Sequence, residues 1–208
     1  MKKYLNIITA LTIVTAFLFT NPAKAQMDEA GVGIKGGVNL SNLYIDNIDD
    51  ENIGFGFQVG IVGKLPLTEV FAIQPELLYT QKGATAVFDA VDQEVAFNLN
   101  YLQLPILLNF NAGDVFNIHV GPYAAYLLNA NVDFDGPVDS FTDLDKDNFN
   151  TFDAGISLGL EVGVSNLSIG ARYDYGLIGV GDEGFVNDLT GLEDAKNNAI
   201  QLYVVLGL

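Results

Sequence analysis

The stretch TFDAGISLGLEVGVSNLSIGARYDYGLI, residues 151–178, alternates with a period of two on either side of a short break. Before Ser165-Asn166, one face collects Ile156, Leu158, Leu160 and Val162; after it, Leu167, Ile169, Tyr173 and Tyr175 continue that face. Asp153, Gly155, Gly159, Glu161, Gly163, Gly170, Arg172, Asp174 and Gly176 fall on the other. A period of two belongs to a strand, whose successive side chains point to opposite sides, and so short a break joins antiparallel neighbours. The stretch is therefore predicted to be a hairpin with one uncharged face and one face of charges and glycines.

Working outward from this hairpin, the same alternation recurs between Gly, Pro and Asn-rich punctuation and predicts eight strands, over 32–43, 54–65, 70–83, 97–110, 115–129, 151–164, 167–178 and 199–208. The connections alternate as well. Pro66-Leu67-Thr68, Asn111-Ala112-Gly113-Asp114 and Ser165-Asn166 are short, whereas 44–53, 84–96, 130–150 and 179–198 are long. The long ones hold most of the acidic residues, including Asp46, Asp49, Asp92, Asp139, Asp182 and Glu193. Short turns at one end and long polar loops at the other are the asymmetry of outer-membrane barrels, whose short turns face the periplasm. An even strand count then places both chain ends on the periplasmic side.

A soluble ligand-binding barrel also alternates, so the direction of the apolar set decides between the two. That set includes Ile34, Val38, Phe57, Ile61, Leu77, Leu102, Ile106, Leu108, Ile118, Leu202 and Leu206, with no charged residue in any strand. The opposite set carries Lys35, Asn39, Gln58, Lys64, Gln74, Glu76, Thr80, Lys82, Gln103, Asn109, His119, Asp153, Glu161, Arg172, Asp174 and Gln201, together with many glycines. A water-exposed face would be about a quarter to a third charged and would have little use for so much glycine. A crowded eight-strand lumen needs small residues beside groups that satisfy one another. Aromatics form two bands, Phe71, Phe110 and Phe116 near the short turns and Phe55, Phe57, Tyr79, Tyr126, Phe152, Tyr173 and Tyr175 toward the long loops, as interfacial girdles would.

The N-terminus fits this destination. Lys2 and Lys3 precede an apolar run from Leu5 to Phe19, followed by Asn21-Pro22 and the small-x-small Ala23-Lys24-Ala25. Residues 1–25 are expected to be a cleaved secretory signal, since the run is shorter than the roughly 20 residues of a spanning helix. Residues 26–208 then form one barrel domain. The chain has no Cys, so neither a disulfide framework nor a lipidated cysteine is available. Without the three lysines of the signal the charge falls to about −20, which argues against nucleic acid as a partner.

Gly33-Ile34-Lys35-Gly36-Gly37-Val38-Asn39-Leu40-Ser41, Ile73-Gln74-Pro75-Glu76-Leu77-Leu78-Tyr79-Thr80-Gln81-Lys82-Gly83, Tyr101-Leu102-Gln103-Leu104-Pro105 and Gly121-Pro122-Tyr123 resemble the PorT-like outer-membrane β-barrel family across essentially the whole mature chain. The resemblance implies a porin-like integral protein of a Gram-negative outer membrane, with membrane lipid and the barrel-assembly machinery as partners. The chain departs from that pattern by ending on Leu208, where such barrels commonly carry an aromatic residue.

Three constellations are candidates for chemistry. The inward charges Lys35, Lys64, Glu76, Glu161, Arg172 and Asp174 are expected to form a network that fills the lumen, with Glu161 and Arg172 meeting across the 151–178 hairpin. His119, the single histidine, would have to serve any histidine-dependent enzyme or zinc site; it falls near the short-turn end and has no second histidine beside it, so no enzyme is expected. Asp143, Asp145 and Asp147 resemble the start of a calcium loop. Asn148 stands where the turn Gly belongs and Ala154 where the bidentate Glu belongs, which leaves weak divalent-cation binding at most and no cofactor. The expected protein is an all-β, eight-stranded antiparallel up-and-down transmembrane barrel, a scaffold displaying acidic loops to an extracellular partner the sequence does not name. A narrow porin-like channel is the alternative, and a secreted soluble ligand-binding barrel a further one.

Overall fold

Strands β1 Gly31–Tyr44, β2 Asn52–Pro66, β3 Phe71–Phe88, β4 Gln93–Ala112, β5 Phe116–Asp135, β6 Ser140–Leu144, β7 Phe152–Val164, β8 Leu167–Gly179 and β9 Lys196–Gly207 make up the regular structure. The structure, a computed structural model, describes residues 30–44, 52–88, 93–113, 115–135, 140–144, 150–179 and 196–208. The expected signal and Asp145 and Asp147 lie outside the described residues. Every paired strand is antiparallel, and β9 returns to pair with β1 from Gly33↔Gly207 to Tyr44↔Lys196, closing a ring of β1-β2-β3-β4-β5-β7-β8-β9. Closure matters because an unpaired backbone edge in lipid would cost several kcal/mol per group.

Eight strands form the ring, as the alternation predicts, and among the described residues a ninth lies outside it. β6 lies within the segment read as the loop 130–150 and pairs with the far end of β5, from Ala130↔Leu144 to Phe134↔Ser140. The segment 84–96 is likewise largely strand, since the β3–β4 ladder runs on to Phe88↔Gln93 and β4 stays paired with β5 as far as Glu94↔Asp135. β4 and β5 are 20 residues each, about twice the 9–11 residues needed to cross a bilayer. Beyond the bilayer neither face must be apolar, so the alternation fades while the backbone ladder continues.

Side chains point as the parity requires. Lys35, Glu76, Arg172 and Asp174 are at most 2% exposed, whereas Ile106 is 50% and Leu160 and Ile169 are 61% exposed. Such an inside-out arrangement suits a hydrocarbon surrounding. Phe71 and Phe110 sit opposite each other at the short-turn end with ring centroids 5.6 Å apart, and Phe57 and Tyr79 make a similar pair toward the other end at 5.7 Å. The β7–β8 hairpin turns at Ser165, whose φ of 60° is left-handed, and Gly113 at φ 82° serves the β4–β5 turn.

The prolines of the three strand motifs lie side by side. By the register of the flanking pairs, Pro75 faces Gly63 across β2–β3, Pro105 faces Glu76 across β3–β4, and Pro122 faces Ile106 across β4–β5. Each ladder skips there and resumes, because proline has no N–H to offer the opposing carbonyl. A second irregularity, between Ile53 and Gln58 on β2, is closed by lumen side chains. Asn39 Nδ2 donates to the carbonyls of Phe57 and Gln81 at 3.1 and 2.8 Å, and Ser41 Oγ both accepts from Gly83 N at 2.8 Å and donates to Gly83 O at 2.9 Å. Gly56 makes room for that crossing: a Cβ there would meet the Gln81 carbonyl oxygen at 2.2 Å.

Candidate functional site

The lumen is crossed by side chains at two levels. At the lower one, nearer the short turns, Arg172 on β8 reaches Glu76 on β3 in a bidentate pair, Nη1 to Oε2 at 2.7 Å and Nη2 to Oε1 at 2.6 Å. β3 and β8 stand four strands apart in the ring of eight, so this pair spans the full bore. Lys35 Nζ adds a third contact to Glu76 at 3.1 Å, and Gln74 Nε2 a fourth at 2.6 Å. Gln74 in turn accepts from Asn109 at 2.5 Å. Tyr203 lies beneath the cations, with Lys35 Nζ 3.7 Å and Arg172 Cζ 5.3 Å from its ring centre, a cation–π arrangement that offsets part of the desolvation of both.

His119 belongs to this level. Its Nε2 accepts from Arg172 Nε at 3.2 Å and lies 3.4 Å from the Tyr203 hydroxyl, while Nδ1 is buried without a partner. An acceptor role for Nε2 puts the ring proton on Nδ1. The ring is held by a salt bridge and a phenol, and no Ser, Thr or carboxylate donates to or accepts from it among the described residues.

The expected pairing of Glu161 with Arg172 does not form. The β7–β8 register sets Arg172 against Gly159 and Glu161 against Gly170. A Cβ at Gly159 would meet His119 Nε2 at 2.2 Å, and one at Gly170 would meet the Tyr203 ring at 2.3 Å, so two rings occupy the space between the charges. Arg172 therefore extends across the bore, and Glu161 accepts from the Tyr203 hydroxyl at 3.2 Å. Lys64 also stands apart from the cluster. It lies lower, on the wall of a cavity described below.

Asp174 anchors the upper level. Its Oδ2 accepts from Gln103 Nε2 at 2.9 Å and Gln201 Nε2 at 2.8 Å, and its Oδ1 from Ser157 Oγ at 2.6 Å. Lys82 Nζ lies 3.8 Å from Asp174 and 3.7 Å from Asp153, 4.5 Å from the centre of the Tyr123 ring. The Tyr101 hydroxyl on β4 accepts from Asn197 on β9 at 3.1 Å, a second tie across opposite walls. Sequence reasoning placed Lys82 and Asp153 inside without joining them to the network, and passed over Tyr101, Tyr123, Asn197 and Tyr203. Parity was the available signal: each sits at an inward position of its strand.

Below the lower level a cavity of about 450 Å³ opens at the short-turn end. Lys64, Glu69, Gln74, Asn111, Asn117 and Glu161 are among its lining residues. Two of its lining residues tie it to the lower level, since Gln74 donates to Glu76 and Glu161 accepts from Tyr203. Of the three candidate metal ligands, Asp143 falls on β6 opposite Asn131. Among the described residues no group of three His, Cys, Asp or Glu is placed to hold a metal ion.

A closed antiparallel barrel with an apolar outer wall and a hydrogen-bonded polar interior defines a class, the small transmembrane β-barrels of outer membranes. The sequence matches the family described as outer membrane protein beta-barrel domain over residues 24–181, and the chain belongs to that family. It is accordingly an integral protein of an outer membrane. Among solved structures it resembles Neisserial surface protein A, at 15% identity and a TM-score of 0.55, with 86% of this chain and 99% of that one covered. It also resembles Ail, the attachment invasion locus protein of Yersinia pestis, in the complex of that protein with the heparin analogue sucrose octasulfate, at 14% identity and a TM-score of 0.50, with 86% and 99% covered. At such identities the likeness is one of fold. No curated protein matches the sequence.

Proposed function

We propose that this barrel is a non-conducting, non-catalytic scaffold that holds four acidic loops at the cell surface for an extracellular partner. The observation that carries the reading is the bidentate Glu76–Arg172 bridge, which crosses the bore between opposite walls and is braced by Lys35, Gln74 and His119. Breaking one partner of a buried pair strands a charge at a cost of about 3–5 kcal/mol, so the bridge is a poor place for thermal opening. A catalytic role has little support, because the single histidine is engaged by Arg172 and Tyr203 deep in the wall. Within its family the chain is assigned to the PorT-like group on the proline-bearing motifs. Its mature form begins at Gln26, and the assembly machinery inserts it with both termini and the short turns in the periplasm.

The loops favour a cationic or neutral partner. Ail was solved with a sulfated sugar, whereas the long connections here concentrate Asp and Glu and would repel a polyanion. Asp143, Asp145 and Asp147 would hold a divalent cation only weakly, since the turn glycine and the bidentate glutamate of a calcium loop are missing.

Planar-bilayer recording tests the reading against a narrow channel. Wild-type protein is expected to give no steady current above a lipid-only control, and the double variant Glu76→Ala/Arg172→Ala to give discrete openings. Steady wild-type conductance would replace the scaffold with the channel.

A further inference from the structure

We propose that the cavity at the short-turn end is a binding site for a short peptide bearing both a free ammonium and a free carboxylate group. At the two levels above it, among the described residues, Lys35 and Arg172 meet Glu76, and Lys82 lies within ion-pair distance of Asp153 and Asp174. The cavity breaks that pattern. Lys64, Glu69 and Glu161 all line it, and among the described residues none of the three is in an ion pair. Lys64 on β2 and Glu161 on β7 stand four strands apart in the ring, and charges of opposite sign on facing walls disfavour a simple anion or a simple cation and suit a ligand that is itself zwitterionic, its carboxylate toward Lys64 and its ammonium toward Glu161.

The remaining lining fits a peptide backbone. Asn111 and Asn117 bring amide groups to the lining, Asn111 Nδ2 donating to the Glu69 carbonyl at 3.4 Å, whereas Gln74 is already engaged by Glu76 and Asn109. A volume of about 450 Å³ lies within the range of small-molecule sites. The turn residues Glu69, Gly113, Ser165 and Asn166 are among its lining, so the inference rests on the orientation proposed above for the compartment from which peptides arrive. It does not depend on whether the lumen conducts.

Glu161 also supplies a reporter. Its carboxylate accepts from Tyr203, whose hydroxyl lies 3.4 Å from Nε2 of His119, the chain's only histidine. An ammonium drawn to Glu161 competes with Tyr203 and perturbs the imidazole. The test is a titration of ¹⁵N-histidine-labelled mature protein in phospholipid nanodiscs with trialanine, followed through the His119 ring resonances. A saturable shift is expected, with no shift from N-acetyl-trialanine amide, which lacks both charges. Lys64→Gln and Glu161→Gln should each weaken the apparent affinity roughly tenfold or more, and Lys64→Arg should retain it. Heat-modifiable gel mobility verifies that each variant is folded; should one fail to fold, the blocked peptide still decides. Absence of a shift, an equal shift with the blocked peptide, or binding indifferent to both charge-removing substitutions would overturn the proposal. Wild-type conductance, measured separately, would overturn the scaffold reading and leave this one standing.

Discussion

Arg172 illustrates how much one side chain carries in this lumen. Its guanidinium makes three polar contacts, two to Glu76 and one to His119, and packs over Tyr203. Arg172→Met is expected to lower unfolding stability by about 3–5 kcal/mol, because it leaves Glu76 buried with only Lys35 to offset it. Adding Glu76→Met should restore part of the loss, and urea unfolding in lipid vesicles across the four-protein cycle measures the coupling. Adjacent glycines offer a sharper contrast. A Cβ on Gly37 would meet the Leu202 carbonyl oxygen at 2.4 Å and the Tyr203 Cβ at 2.7 Å, whereas one on Gly36 meets nothing within 4 Å. Gly37→Ala should therefore cost about 1–3 kcal/mol and Gly36→Ala nearly nothing in the same assay. Parity along each strand placed the charged groups and most of the amides in the lumen but was not followed to Tyr101, Tyr123, Asn197 and Tyr203. It did not predict partners: Glu161 and Arg172 are close in sequence, yet the rings of His119 and Tyr203 come between them from strands far along the chain.

At the scale of the strand, the outer face obeys one rule, the exclusion of charge, and Ile106 tests it. This side chain is half exposed on the outer face of β4, beside Pro122 across the seam. Ile106→Lys should cost roughly 2–4 kcal/mol, the penalty of a cation near the bilayer midplane, and the value comes from folding titrations in vesicles. Leu107, one residue on, faces inward, so a charge there would probe lumen packing instead. The strands were legible because a buried wall with lipid on one side and a packed lumen on the other imposes a strict period of two. The extensions of β3, β4 and β5 and the existence of β6 were not, because a ladder standing in water has no face that must be apolar. The aligned prolines were legible as motifs only. Their meeting on three adjacent seams depends on register, which the spacing within any one strand does not contain.

For the molecule as a whole, the arrangement inverts the soluble pattern: isoleucine, leucine and phenylalanine cover the outside while lysine, arginine and carboxylates are sealed within. A sequence that is half hydrophobic and strongly acidic becomes consistent once the apolar residues are spent on the wall and the acids on the long loops. What the whole lumen would do was the least legible feature, since two levels of crosslinks and a cavity at the short-turn end arise only when eight strands are brought into one ring. The central claim is that hydrocarbon is the natural surrounding of the outer wall. Size-exclusion chromatography of the purified mature protein, with and without detergent, tests it most directly. The expected result is a single monomeric species in detergent, with heat-modifiable gel mobility, and aggregation when detergent is withdrawn. A monodisperse, folded protein in plain buffer would contradict it.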